Sequence, residues 1–284
     1  TPKAELKIYP NLLAHVTESV EGLLRRPYGC GEQTISSTYP NLMILKFIKD
    51  ETSLKRKAKK YLKSGYERLL GYQIADGGFS YWGGKDSSDI ALTAYALRFL
   101  NDAKSFIEVD QTVIKNATDY LLKQQRADGS FTKKYYYETT EDAKRTKMFT
   151  TYVARVLAQV KADKPSLDKA LSYLKIRNAE IDEPYTLALY TLASYDAGNI
   201  EEAEKTIAKL QTLAKSEGNT AYWNLETNTP FYGWGTAGRI ETSALVIQAL
   251  LKSKDQNPKT KDLKPFRFIF DACKKASARF ERSD

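Results

Sequence analysis

Twice the chain spells the same seven-residue phrase, Gln-x-Ala-Asp-Gly-x-Phe, at Gln73 to Phe79 and again at Gln125 to Phe131. Each copy follows a polar amphipathic stretch and precedes an apolar one, Ile90 to Leu100 in the first case and Met148 to Val160 in the second. A third, weaker copy, Tyr232-Gly233-Trp234-Gly235, precedes Glu241 to Leu251. A turn that recurs between a solvated helix and an apolar helix defines a helical hairpin as the folding unit. Such a hairpin buries its inner helix only by stacking on its neighbours.

Apolar residues recur at helical spacing through most of the chain, as in Leu12, Leu13, Val16, Val20 and Leu23, or Val113, Ala117, Tyr120 and Leu121. No alternating run is long enough to be a convincing strand, so the class is all-α. Breaks fall at Asp76-Gly77-Gly78, Asn101-Asp102 and Asp196-Ala197-Gly198-Asn199. The expected outer and inner helices are 11–25 with 33–49, 55–73 with 87–101, 110–126 with 147–161, 165–177 with 184–196, and 200–216 with 240–253. Stacked pairs of this kind predict an α/α toroid of helical hairpins, inner and outer layers. A further helix at 263–281 has no inner partner, so the ring is incomplete or differently closed at the C-terminus. No Gly/Ser-rich or Pro-rich linker divides residues 1–284, which reads as a single domain, and Thr1-Pro2-Lys3 reads as the start of a piece excised from a larger multidomain parent.

Composition removes several function classes. No apolar run approaches the roughly 18 residues that a membrane-crossing helix needs, so no membrane insertion is expected. Two cysteines, Cys30 and Cys273, cannot build a disulfide framework, and with His15 the only histidine no metal site of usual zinc composition is expected. No cofactor is implied. The 44 Lys and Arg against 35 Asp and Glu leave a net charge of +9, which admits anionic partners. The basic run Lys55 to Lys63 reads as a solvated helix face, no nucleic-acid motif accompanies it, and nucleic acid is not an expected partner.

Chemistry concentrates in Pro27-Tyr28-Gly29-Cys30-Gly31-Glu32-Gln33-Thr34. A Cys and a Gln three residues apart meet across one tight turn, and the flanking Gly29 and Gly31 permit the backbone to curl that closely. Attack of the Cys30 thiolate on the Gln33 side-chain amide, with loss of ammonia, would give an internal thioester, a far better acylating agent than the amide. The plainer alternative is a small buried core cysteine beside an ordinary helix-start glutamine.

The complete Gly-Cys-Gly-Glu-Gln at Gly29 to Gln33 strongly resembles the signature of the thioester domain of the alpha-2-macroglobulin and complement (thioester-containing protein) family. So do Glu21-Gly22-Leu23-Leu24, Pro27-Tyr28, Tyr39-Pro40-Asn41, Gly65-Tyr66, Leu92-Thr93-Ala94-Tyr95, Glu241-Thr242-Ser243-Ala244-Leu245 and the Asp-Gly-x-Phe turns. The resemblance implies a helical toroid in a protease trap or opsonin whose thioester is exposed when the parent is proteolysed. It also implies that Gln33 becomes the attachment point and Cys30 the leaving thiolate, with Gly29, Gly31 and Glu32 shaping the ring. Expected partners are an activating or target protease, a target cell-surface protein, and other domains of the parent.

Family members that prefer hydroxyl targets carry a His in the loop after the second Asp-Gly-x-Phe. Here that stretch is Thr132-Lys133-Lys134-Tyr135-Tyr136-Tyr137-Glu138, without one, which predicts lysine amines as targets. Tyr28, Tyr135, Tyr136 and Tyr137 are candidates for a water shield or target-side loop, with ordinary core and rim packing as the alternative. Cys273, at helical spacing with Phe266, Ile269 and Phe270, reads as a buried free thiol without a role. The resulting expectation is single-turnover acyl transfer, not an enzyme, in an extracellular setting, or a periplasmic one in a bacterium. The alternatives are a covalent surface adhesin using the same thioester and a non-catalytic anionic-surface binding module.

Overall fold

Helices dominate both halves of the chain. The computed structural model describes residues 22–48, 50–84, 86–133, 140–217, 220–225 and 227–256, and these form two compact units, 1–123 and 124–284. The first holds α1 (Gly31–Phe47), α2 (Ser53–Leu70), α3 (Ile90–Ala103) and α4 (Gln111–Gln124), the last residue of α4 falling in the second unit. The alternation of solvated and apolar helices is visible in which side chains are covered. α2 buries one stripe, Ala58, Leu62, Gly65, Tyr66 and Leu69, whereas α3 buries nine residues distributed around its axis. α1 packs against both. Its approach to α2 is close enough that a Cβ on Gly65 would lie 2.1 Å from Thr38 Oγ1.

The second unit holds α5 (Ala143–Val160), α6 (Lys164–Ile176), a single 3-10 turn at Asn178–Glu180, α7 (Pro184–Asp196), α8 (Ile200–Thr212), β1 (Lys215–Glu217), β2 (Thr220–Tyr222) and α9 (Gly235–Gln256). α7 is buried from Pro184 to Tyr195 and packs against α5, α6, α8 and α9, so it is the core of this unit. Its Pro184 occupies the first helical turn, where a missing N–H costs nothing, and Glu183 accepts from the Thr186 N–H at 3.1 Å.

The repeated phrase is a repeated structure. In the first copy Ile74 N–H donates to Gly78 O (3.0 Å) and Gly77 N–H to Ile74 O (2.9 Å); in the second, Arg126 N–H donates to Ser130 O (3.0 Å) and Gly129 N–H to Arg126 O (2.9 Å). The Asp of each accepts the N–H two residues on, Gly78 to Asp76 at 2.9 Å and Ser130 to Asp128 at 3.0 Å. Each Gln then ties the turn to the next outer helix. Gln73 Nε2 donates to Gly77 O and Val113 O, and Gln125 Nε2 to Gly129 O and Ser166 O. The Phe N–H of each donates to a threonine hydroxyl on the following inner helix, Thr93 at 2.8 Å and Thr150 at 2.9 Å. Every residue of the phrase except its Ala and its two variable positions therefore has a stated task.

The third copy keeps the turn and changes its chemistry. Thr229 N–H donates to Gly233 O (3.0 Å) and Tyr232 N–H to Thr229 O (2.9 Å), so Tyr232 stands where Gly77 and Gly129 stand, at φ +61. Phe79 and Phe131 are fully buried, but Trp234 at the matching place is 75% exposed.

The all-α expectation holds, with corrections of detail. β1 and β2 form an antiparallel pair in register Lys215↔Tyr222, where the sequence suggests no strand. Three residues per strand are too few for an alternating pattern to register, and all of β1 is exposed. α9 starts at Gly235, not 240, because the glycines there read as loop. α5 starts at 143, not 147, because Asp142 caps it by accepting from the Lys144 and Arg145 N–H groups. α2 stops at Leu70, with Gly71 as its C-cap, and the Tyr72 carbonyl already accepts from the Ser80 N–H beyond the turn at 2.9 Å. The helices expected at 11–25 and 263–281 lie, apart from residues 22–25, outside the described residues.

Candidate functional site

α1 begins at the motif. Cys30 is its N-cap, with extended backbone (φ −72, ψ −177), and Gln33 is the third helical residue. At that position a side chain can fold back over the helix start, and Gln33 does so: its Oε1 accepts the Cys30 N–H at 3.1 Å. The Cys30 side chain in turn faces the Gln33 backbone N–H. Thiol and amide thus share one helical turn. They differ in access: Cys30 is 8% exposed, while Gln33 lies open at the surface.

The glycine before the cysteine is a steric requirement. Gly29 has φ +79, and a Cβ there would fall 2.0 Å from Gln33 Oε1. Any side chain would displace the amide from its place over Cys30. Gly31 donates its N–H to Tyr81 O at 2.8 Å, and a Cβ on it would meet Ser80 O at 2.7 Å, so the far side of the turn rests against the segment 80–81.

α2 holds the near side. Arg68, in its last turn, donates from Nη2 to Gly29 O at 2.6 Å and from Nε to Thr34 Oγ1 at 3.1 Å; Tyr72 OH donates to the same carbonyl at 2.7 Å. The guanidinium also lies 5.9 Å from the Tyr72 ring centre. Thr34 and Ser37 complete the frame. Thr34 Oγ1 donates to Tyr28 O (3.4 Å), Ser37 Oγ accepts from Tyr28 N–H (3.3 Å) and Ser37 Oγ donates to Gln33 O (2.6 Å). Sequence reasoning missed Arg68 and Tyr72, and it gave Thr34, at the end of the motif, no role. Arg68 closes a run of basic residues and looks like one more solvated cation, and only the packing of α2 on α1 reveals its partner.

Glu32 points elsewhere. Its Oε1 accepts from Ser36 Oγ at 2.5 Å, and Ser36 Oγ lies 3.4 Å from Tyr95 OH. It sits in the first turn, where a negative charge complements the helix dipole. Further along α1, Tyr39 stacks on Tyr95 (5.9 Å between ring centres) and donates to Asp102. Burial first, then the Asp102 charge and bond, push the Tyr39 phenol far above its ordinary range, against a lowering from Arg98. Tyr28 is 52% exposed beside the motif. Tyr135, Tyr136, Tyr137, His15 and Cys273 lie outside the described residues. Among the described residues no His, Cys, Asp and Glu cluster could hold a metal ion, and no helix is long and apolar enough to cross a membrane.

A buried cysteine and a solvent-facing glutamine, folded together ahead of an all-α chain, match one known family over nearly the whole length. The A-macroglobulin TED domain model matches residues 4–263. The chain belongs to that family. Among curated relatives, this TED domain is 28% identical over 264 residues to Thioester-containing protein 1 allele S1 of Anopheles gambiae, and likewise to its allele S3. Each alignment covers 89% of this chain but 19% of the relative, so the chain spans about a fifth of the length of the proteins it matches. Among solved structures it is similar to native alpha-2-macroglobulin of Escherichia coli from domain MG7 to the C-terminus. That match has a TM-score of 0.62 at 22% identity and covers 92% of this chain and 38% of that one. A cryo-EM reconstruction of the native E. coli protein matches at TM-score 0.53 and 27% identity over 72% of this chain and 13% of that one. The likeness at 22% identity speaks for the TED fold alone.

Proposed function

We propose that this TED domain carries an internal thioester between Cys30 and Gln33, and that its parent acts as a macroglobulin-like protease trap or complement-like opsonin. Cys30 Sγ attacks Gln33 Cδ, the C–N bond breaks, and ammonia leaves with the thiol proton. After proteolysis of the parent has opened access, an amine nitrogen attacks the same carbonyl carbon. The C–S bond then breaks, Cys30 recovers its thiol, and Gln33 is left joined to the target by an amide. The electrophile is consumed, so each chain acts once and does not turn over.

The observation that carries this reading is the fold of Gln33 onto Cys30 with unequal exposure. A sulfur sheltered from solvent protects the bond, and an acyl group facing outward is accessible to a nucleophile. The name of the mosquito relatives, thioester-containing proteins, supports the same chemistry. Amines are the expected targets because the sequence 132–138 after the second Asp-Gly-x-Phe has no His to relay the acyl group. Gly29 and Gly31 shape the ring, and Glu32 turns away toward Ser36. Foreign proteases and surfaces are met outside the cytoplasm, which places the parent in an extracellular or periplasmic setting.

The experiment is intact mass spectrometry of the full-length parent before and after methylamine. The expected result is an initial mass short by one ammonia, uptake of one methylamine per chain at Gln33, and one new free thiol at Cys30. A full mass, no uptake and a thiol that was free from the start reject the proposal. Cys30→Ala serves as the control that should abolish uptake with helical content unchanged.

A further inference from the structure

The outer side of α2 carries a feature that the thioester reading leaves unused. Between Ser53 and Leu70 stand seven cations, Lys55, Arg56, Lys57, Lys59, Lys60, Lys63 and Arg68, against one acid, Glu67. At 100° per residue, Arg56, Lys59, Lys60 and Lys63 fall within a single arc of about 100°, on the side of the helix turned away from the buried Ala58, Leu62, Gly65 and Leu69, with the buried Tyr66 flanking its Lys59 edge. All four are exposed. Lys55 and Lys63 bridge to Glu51 (3.1 Å) and Glu67 (3.9 Å), but Arg56, Lys59 and Lys60 make no ion pair among the described residues. Four like charges along about 10 Å of one rigid helix repel one another and hold counterions.

We propose that this face of α2 is a docking surface for a linear sulfated polysaccharide. A basic run of five to eight residues is a known footprint of polyanion binding, and here the helix converts the run into a single narrow stripe. A stripe one helix wide fits a linear chain of anionic groups. It lacks the exposed Trp, Phe or Leu side chains with which an interfacial helix enters a membrane, since the large apolar residues of α2 other than Leu70 at its end point inward or sit half-buried. It also lacks an exposed aromatic on which a base could stack, because Tyr61 is half-buried and lies under Lys57. The surface is independent of the Cys30–Gln33 chemistry.

The test compares the full chain with Arg56→Gln/Lys59→Gln/Lys60→Gln/Lys63→Gln and with a charge-matched control, Lys123→Gln/Lys161→Gln/Lys169→Gln/Lys175→Gln, each checked for unchanged helicity. Heparin is the probe, by calorimetry across a salt series. The stripe variant should lose at least tenfold in affinity near 0.1 M salt. Its plot of log affinity against log salt should flatten by about 2 to 3, at about 0.7 per released counterion for four charges. The control should stay near the parent, and desulfated heparin should not bind. Equal losses in both variants overturn the proposal, as do anionic phospholipid vesicles or duplex DNA held as tightly as heparin.

Discussion

The Arg68 guanidinium and the Gly29 carbonyl are 2.6 Å apart, one on the last turn of α2 and the other on the turn that precedes α1. That carbonyl belongs to the peptide whose nitrogen is Cys30's, and it receives a second donor from Tyr72 OH at 2.7 Å. Two donors on one oxygen fix the peptide plane, so they fix where the Cys30 N–H aims when it meets Gln33 Oε1.

Removing this grip should loosen the turn without unfolding the helices. Arg68→Ala deletes a charge-assisted bond and its second contact to Thr34, a loss of about 1.5–3 kcal/mol, and Tyr72→Phe about 0.5–1.5 kcal/mol. Arg68→Lys should fall between parent and Ala, because an ammonium retains the charge and not the fork. Urea midpoints rank the three. The positioning role is read separately, as the fraction of chains that take up methylamine, which a merely structural contact would leave unchanged.

Gly29→Ala tests the steric argument. The left-handed backbone costs a non-glycine residue about 1–2 kcal/mol, and the added methyl meets Gln33 Oε1 at 2.0 Å. The expected result is near-native circular dichroism with amine uptake reduced tenfold or more. Unaltered uptake would mean that the amide does not need its place over Cys30.

Much of this was legible before the fold. The helical period and the doubled turn were written in residue spacing, because their defining bonds span only a few residues, and the inner helices were marked by their apolar composition. The Cys30–Gln33 pairing was legible for the same reason, being local. What spacing does not carry is contact between helices. Arg68 and Thr34 are 34 positions apart, and nothing in either stretch announces the other. Tyr232 shows the opposite limit. It takes the left-handed place that Gly77 and Gly129 fill elsewhere, so a search for the glycine finds that turn only weakly.

Two glycines separate conformational strain from crowding. Gly129 (φ +90) and Gly198 (φ +82) share a left-handed backbone, but a Cβ on Gly129 would lie 2.4 Å from Lys169 O, while one on Gly198 would meet nothing within 4 Å. Gly198→Ala should therefore cost only the backbone term, about 1–2 kcal/mol. Gly129→Ala should cost at least about 1 kcal/mol more, because a backbone carbonyl in α6 cannot swing aside as a side chain can. Thermal midpoints of the two variants decide it.

Asp128 should make the second unit sensitive to acid. Its burial alone would raise the carboxyl, but the Ser130 hydroxyl and N–H, with Arg177 and Arg126, outweigh that and hold it below the ordinary carboxylate range. In the unfolded chain the group titrates near 3.9. Between that value and the lower folded one, the unfolded state binds a proton that the folded state refuses, so acid favours unfolding there. The contribution of the ionised group is complete above about pH 4 and disappears as pH falls through the folded value. Asp128→Asn keeps an acceptor for the Ser130 N–H but has no charge to lose. Its deficit against the parent should be constant from about pH 7 to pH 5 and shrink below about pH 4, as read from urea midpoints at each pH. A deficit that stays constant down to about pH 2.5 would show that the carboxylate charge contributes nothing to the turn.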